Sequence, residues 1–438
     1  MPQALYQESA AVALHAPSRL SGYKWVPFVV WILAFAAIPV WNAVDPGNGW
    51  DAKVIVNAIH SLQAGHDPYA DGMAIAKVFH DQLALHPLAS PPYFYVYSPL
   101  TLPLLRLVGS LPPMLYIFGY WLIYAAGVLA QIWVGMQAAE PEERRYFAFL
   151  APAAAFFPGL LQHDAVMSGN LAFILYGLIF LAALLGWRRG RWRWFYVAVL
   201  IASCFKAPYL SLLAIPVLSA RRQWIPAGIT GATGVALFGA QLWIWPSYFH
   251  NYLRALELIF SYDHGFGVGP AGLISCSLLN AGLPYAAGTI FYFFFAIMLF
   301  GLLLYLSRQF LAGEFSLERW IPVMITGVFL LSPRIQEYDV APLALFMALI
   351  LWRTVSSFTG AAWAIAFCSL FFVVANAVVI YINSFDIADY YWNHIECFLL
   401  VGTFAAGSWN LLWQTSLSRN QLRNPIHNPV DVVAILAD

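Results

Sequence analysis

Long apolar runs separated by short polar breaks recur along the whole chain. Segments near 24–43, 113–137, 146–160, 168–187, 194–204, 207–219, 225–245, 288–307, 320–331, 338–352, 360–383 and 395–413 carry little charge, and each predicts a membrane helix. Twelve spans put both chain ends on one side. Several are shorter than the ~20 residues of an ordinary crossing, and the segment 98–110 then has to re-enter the membrane or lie along it. One polar stretch has a different rhythm. From Trp50 to Leu62 the apolar residues Trp50, Val54, Ile55, Ala58, Ile59 and Leu62 recur at helical spacing, while Asp51, Lys53, His60 and Gln63 fall elsewhere on the wheel. That pattern predicts an amphipathic helix at the membrane surface. Gly65 can stop it, Asp67-Pro68 reads as a turn, and Pro87, Pro91, Pro92 and Pro99 keep the following residues extended.

Composition turns this pattern into a class. Of 438 residues 61% are hydrophobic, 17% aromatic and only 10% charged, with a mean hydropathy of +0.70. The expectation is an all-α polytopic membrane protein: a cytoplasmic tail over 1–23, a transmembrane domain over 24–413 with outer loops 44–97 and 246–287, and a cytoplasmic tail over 414–438. The 30 glycines and 27 prolines fit, because neighbouring membrane helices satisfy interrupted backbone bonds. The apolar segment 25–41 has no small-residue cleavage site and reads as a retained first helix. Cys204, Cys276, Cys368 and Cys397 lie far apart and form neither a disulfide framework nor a metal spacing.

Charge placement separates the two sides. The clusters Arg144/Arg145, Arg188/Arg189/Arg191/Arg193, Arg221/Arg222, Arg308/Arg319 and Arg419/Arg423, with Arg19, Lys24 and Arg353, hold 15 of the 21 basic residues and are expected inside. Lys53, Lys77, Arg106, Lys206, Arg254 and Arg334 are left on the outer side, where that rule gives them no reason to be. Many carboxylates share it, among them Asp51, Asp67, Asp164, Asp263, Glu337 and Asp339. A charge beside a membrane segment is costly unless it is paired or faces water, so each is either a site residue or half of a local ion pair. Asp51 heads the amphipathic helix. It is there to stabilise a helix N-terminus or to do chemistry.

The ordered marks WD…AGHDPY, YFYVYSPLTLPLL, SGNLAFILYGLIFLAALL followed by RRGRWR, FKAPYLSLLAIPVLSARRQW and LLSPRIQEYDVAPLALF resemble glycosyltransferase family 87 over about residues 45–355. That resemblance implies a C-type membrane glycosyltransferase fold and a polyprenyl-phosphate sugar donor, with mannose as the family default. It implies a glycan or glycolipid acceptor, no cofactor, and an active site facing the periplasm or cell exterior across the cytoplasmic membrane. It also implies that an acidic residue of the first outer loop, here Asp51, is the catalytic base. An inverting transfer to a hydroxyl needs one carboxylate to take the proton. The leaving group is an already ionised phosphate ester, which needs cations, and Lys206 and Arg334 stand at the outer ends of spans. Ala207 is inserted where the family has a Lys-Pro step, and Gln336, Glu337, Tyr338 and Asp339 stand where many mannosyltransferases continue to Trp and paired His.

Other positions carry two readings each. Glu337 and Tyr338 suit sugar binding, while Glu337 and Asp339 equally suit a solvated helix start. Tyr69 suits a substrate surface or the interfacial aromatic belt. Asn170 in Gly169-Asn170 matches a family mark or only caps a span. Asp263-His264, followed by Gly265, Gly267 and Gly269, suits a loop moving over substrate or a plain loop. His163 and His264 with Asp51 fall short of recognisable metal-ligand spacing, so no metal is expected. No DxD, phosphate-loop or GxSxG motif occurs, and nothing points to nucleic acid. Two other functions stay open: a polyprenyl-linked glycan polymerase or ligase, and a transporter or flippase of lipid-linked sugars.

Overall fold

The computed structural model describes residues 49–83, 94–146, 168–262, 267–360, 363–371, 374 and 395–423. Among them the protein is built from helices, with a single isolated bridge between Gly267 and Ile335 and no strand. We number the helices α1 (Trp50–Gln63), α2 (Pro68–Leu83), α3 (Leu102–Gly109), α4 (Pro113–Gln137), α5 (Ala172–Arg189), α6 (Arg193–Ser203) and α7 (Ala207–Ser219, its first half 3-10). There follow α8 (Trp224–Ile244), α9 (Pro246–Tyr262), α10 (Pro270–Asn280), α11 (Tyr285–Leu311), α12 (Leu317–Leu330), α13 (Tyr338–Ser356) and α14 (Ile395–Arg423).

Six of these helices, α4, α5, α8, α11, α13 and α14, are long and apolar enough to cross a membrane. They coincide with six of the twelve expected spans. The segments 194–204, 207–219 and 320–331 are helical but short, while 24–43, almost all of 146–160 and part of 360–383 lie outside the described residues. By helix length and composition, the described residues are those of an all-α membrane protein. Of the six, α5 and α13 are the most enclosed, whereas α8 and α11 turn Ile225, Ile229, Trp243, Phe293, Phe294 and Met298 outward. Apolar outward faces are what lipid requires. Helix α4 lies against α5 at a glycine contact: a Cβ at Gly127 would come within 2.8 Å of the Ile174 Cα, and Gly177 touches the Gly127 backbone. Close backbone approach through small residues drives helix association where the surroundings are already apolar.

The helices align so that chemistry is sorted to two ends. At one end Arg353 takes both oxygens of Glu143 at 2.7 and 2.6 Å and also donates to the carbonyls of Glu318 and Ala138. Beside it Arg319 bonds Glu140 at 2.8 Å and reaches Gln414, and Arg188 reaches Gln137. Arg221, on the turn after α7, points at the Leu311 carbonyl. Arg188, Arg221, Arg319 and Arg353, all expected on one side, share this end of the bundle. The starts of α5, α7 and α13 meet at the other end.

One expectation is corrected there, and two further segments gain detail. Residues 68–83 are not a turn followed by extended chain but helix α2. Asp67 caps it, its carboxylate accepting from the Tyr69 and Ala70 N–H groups at 2.9 and 3.4 Å, with Pro68 at the first helical position. An Asp-Pro pair is as good a helix start as a turn. The loop 246–287 is largely α9 and α10. The segment 98–110 holds α3, which lies against α1, with Gln63 donating to the Gly109 carbonyl at 2.6 Å. Eight residues rise only about 12 Å, too little to cross.

Candidate active site

The site begins where α1 starts. Gly49 adopts φ 70°, and the freed backbone N–H groups of Asp51 and Ala52 both donate to the Ser168 carbonyl at 3.0 and 3.3 Å. Helix termini leave such groups unsatisfied, and here the turn before α5 accepts them. That turn is tight. Gly169 has φ +69°, and a Cβ there would lie 2.7 Å from the Trp121 ring and 3.1 Å from the Ala52 Cβ, so only glycine fits. Tyr120 holds the Gly169 carbonyl.

Asn170, almost completely buried, performs two tasks with one amide. Its oxygen accepts from the Ala172 N–H at 2.9 Å, capping α5, and its nitrogen donates to an Asp51 carboxylate oxygen at 2.9 Å. The alternative that Asn170 only caps is thereby set aside. Burial pushes the Asp51 carboxyl above its ordinary range; the Asn170 bond, the charge of Lys206 and a bond from Ser168 recover part of that cost. Burial raises the neighbouring Tyr97 hydroxyl too, and the Asp51 charge adds to it.

Lys206 stands between α6 and α7 in extended backbone. Its register is fixed from the YSP segment: Ser98 donates its N–H to the Phe205 carbonyl at 3.1 Å and its hydroxyl to the fully buried Gln241 of α8 at 2.8 Å. The ammonium donates to the Tyr338 hydroxyl at 3.1 Å and lies 4.5 and 5.2 Å from the ring centres of Tyr338 and Tyr97. Aromatic faces hold a cation without neutralising it. Arg334 precedes α13 on a segment held by Val268, whose N–H donates to the Ile335 carbonyl at 2.7 Å. With its amide oxygen turned towards the guanidinium, Gln336 accepts from Arg334 at 3.0 and 3.2 Å.

Lys206, Arg334, Tyr338, Asp339, Tyr176 and Tyr209 line a small, partly open cleft. Asp339 is not a solvated helix start: it accepts from the Tyr176 hydroxyl at 2.9 Å and from the Gln336 N–H at 3.0 Å. The buried Tyr209 hydroxyl, beside Tyr176, makes no well-formed hydrogen bond among the described residues. The cleft thus brings two cations together with a carboxylate and tyrosine hydroxyls.

Of the residues expected from sequence, Lys206, Arg334 and Tyr338 share the cleft, and Asp51 and Asn170 adjoin it through Lys206 and Tyr97. Tyr69 is one layer further back. It is fully buried, and its hydroxyl donates to the Tyr97 carbonyl at 2.6 Å, so that in this structure it props the loop. Asp263 and His264 lie outside the described residues, and of Glu337 only the backbone, in the first turn leading into α13, is described. Tyr176 and Tyr209 were missed. Both sit inside apolar runs, where a tyrosine gives no periodic signal distinguishing it from packing. Among the described residues no group of three or more His, Cys, Asp or Glu is arranged to hold a metal ion. No protein-family model, characterised protein or solved structure matches the chain.

Proposed function

We propose that this protein is an inverting membrane glycosyltransferase of the C type, similar to family 87, that moves a hexose from a polyprenyl phosphate to a glycan or glycolipid. Mannose is the sugar that the sequence resemblance favours. The cleft end would face the periplasm or cell exterior of the cytoplasmic membrane. One observation carries the reading: a buried carboxylate, Asp51, held by Asn170, feels the charge of Lys206, a cation that lines a polar cleft.

The chemistry follows from those groups. An acceptor hydroxyl attacks the anomeric carbon, the bond from that carbon to the phosphate oxygen breaks, and the hydroxyl proton passes to Asp51. A base whose pKa is lifted towards the working pH is better matched to that transfer. The departing polyprenyl phosphate keeps the bonding electrons, and Lys206 and Arg334 stabilise its charge. Asp339, Tyr176 and Tyr209, which line the cleft, would bind sugar hydroxyls. Two cations match one phosphate better than a diphosphate, which favours transfer over a polymerase or ligase reading.

The test incubates purified wild type and Asp51→Asn with a panel of radiolabelled polyprenyl-phosphate sugars and a membrane glycolipid extract. Transfer by wild type, lost by a factor of about 10² to 10⁴ in the variant while donor binding persists, is the expected outcome. If wild type neither binds nor turns over any donor, the transferase reading fails and transport of lipid-linked sugars takes its place. Equal transfer by both proteins would leave Asp51 as a helix-start residue.

A further inference from the structure

The end of the bundle opposite the cleft carries a second concentration of charge. The turn from α5 into α6 contains Arg188, Arg189, Arg191 and Arg193, and the turn from α7 into α8 contains Arg221 and Arg222. All six are exposed, and neither turn contains a carboxylate. Tertiary structure sets the two turns side by side. Trp187 donates its indole N–H to the Ser219 hydroxyl at 3.0 Å, and the Tyr196 hydroxyl donates to the Gln223 side chain at 2.9 Å. The nearby carboxylates Glu140 and Glu143 are already engaged by Arg319 and Arg353. Arg188 feels the like charges of Arg144 and Arg189, offset in part by Glu318. The joined turns are therefore a strongly positive surface.

Two further observations give it a ligand. Arg222 has φ 66°, the one positive value at a non-glycine position among the described residues. A left-handed backbone at such a residue costs on the order of 1–2 kcal/mol, which glycine would avoid. Strain held at a charged residue is the kind of outlier that marks function. The rim of the patch is apolar: Trp194 and Trp224 are half exposed, the Arg193 guanidinium lies 5.2 Å from the Trp194 ring centre, and Ile225 and Ile229 carry the apolar surface onward along α8. Tryptophan beside arginine at the ends of apolar helices matches the depth at which phosphates overlie acyl chains. A soluble anion has no use for that rim.

We infer that the paired turns form a binding surface for anionic phospholipid headgroups, the arginines holding phosphates and the tryptophans resting at the boundary of the acyl chains. The surface is independent of the cleft chemistry.

Purified full-length protein in neutral detergent tests this by thermal melting with added phosphatidylglycerol, phosphatidylcholine or soluble glycerol phosphate. Phosphatidylglycerol is expected to raise Tm, less so as salt is increased, while phosphatidylcholine and glycerol phosphate have little effect. The fourfold variant Arg191→Gln/Arg193→Gln/Arg221→Gln/Arg222→Gln should lose most of the rise. Arg254→Gln, an exposed arginine on α9, should keep it. Should the fourfold variant fail to fold, Arg222→Gly decides, because it removes one charge and relieves the strained backbone. Its Tm in neutral detergent should rise while half-saturation by phosphatidylglycerol weakens about fivefold. An equal rise with phosphatidylcholine or with glycerol phosphate alone overturns the inference. So does an unchanged response to phosphatidylglycerol in Arg222→Gly.

Discussion

At the scale of single residues, Asp51 sets activity against stability. Burial raises its carboxyl, so the folded protein retains a proton at pH values where the unfolded chain has released it. Ionised Asp51 therefore costs folding free energy; the cost is absent at low pH and grows as pH rises from the ordinary carboxylate value through the folded one. Asp51→Asn should melt at higher temperature than wild type at neutral pH, with the gap closing as the buffer is acidified. Melts that differ equally at every pH would remove the buried-charge account. Asn170 acts on the same group. Asn170→Ala deletes the bond that pulls the Asp51 carboxyl down, so the acid limb of the transfer-rate profile should move to higher pH. A hydrogen bond to a charged group is worth about 1.5–3 kcal/mol, which corresponds to roughly one to two pH units. A merely structural asparagine would lower stability through the lost α5 cap, by about 1 kcal/mol, without moving that limb.

At the scale of elements, the surface helices α1, α2, α3 and α9 hold the cleft end together through a few polar ties. Asp67 caps α2 and also accepts from Asn251 of α9 at 2.8 Å. Asp67→Ala should cost about 1–2 kcal/mol and speed amide hydrogen exchange in α2 and in the facing turn of α9. Exchange confined to α2 would mean that the tie to Asn251 carries no weight. Behind Tyr97, Tyr95 packs at a tilt and Tyr252 edge-on against Tyr69, with ring centres 5.5 and 5.8 Å from it. Such pairs add to burial and keep Tyr97, and so Lys206, at a fixed height over the cleft.

At the scale of the whole molecule, the clamp opposite the cleft joins the segment after α4 to α12, α13 and α14. Arg353 and Glu143 are largely buried there at 2.6 Å. Arg353→Met strands the Glu143 carboxylate and should cost about 3–5 kcal/mol, whereas Arg353→Met with Glu143→Leu should recover most of it. Thermal melts of the single and double variants check this, and a double variant no better than the single would show that the carbonyl contacts of Arg353 matter more than the ion pair. Burial opposes ionisation of Glu140, but the bond and charge of Arg319 outweigh it and leave the carboxyl below the ordinary glutamate value. That tie contributes fully at neutral pH and is lost as pH falls through the folded value.

The run of apolar segments, their flanking arginines and the period of residues 50–62 are local properties, so the sequence alone determined the helical membrane class, the common side of Arg188, Arg221, Arg319 and Arg353, and the amphipathic α1 bearing Asp51. Helix α2 was hidden because an Asp-Pro pair reads as a turn or as a capped helix start, and only the packing of Tyr69 and the Asn251 tie choose between them. The partners of Asp51 lie 119 residues away in sequence at Asn170 and further still at Lys206, and no periodicity connects them. Tyr176 joins Asp339 across 163 residues, from a position that looks like core until the two helices meet. Which polar groups face one another at the ends of the helices depends on helix rotation and crossing, set by contacts such as Gly127 against Gly177. Those contacts exist only in the assembled bundle, and so the cleft was decided by tertiary structure.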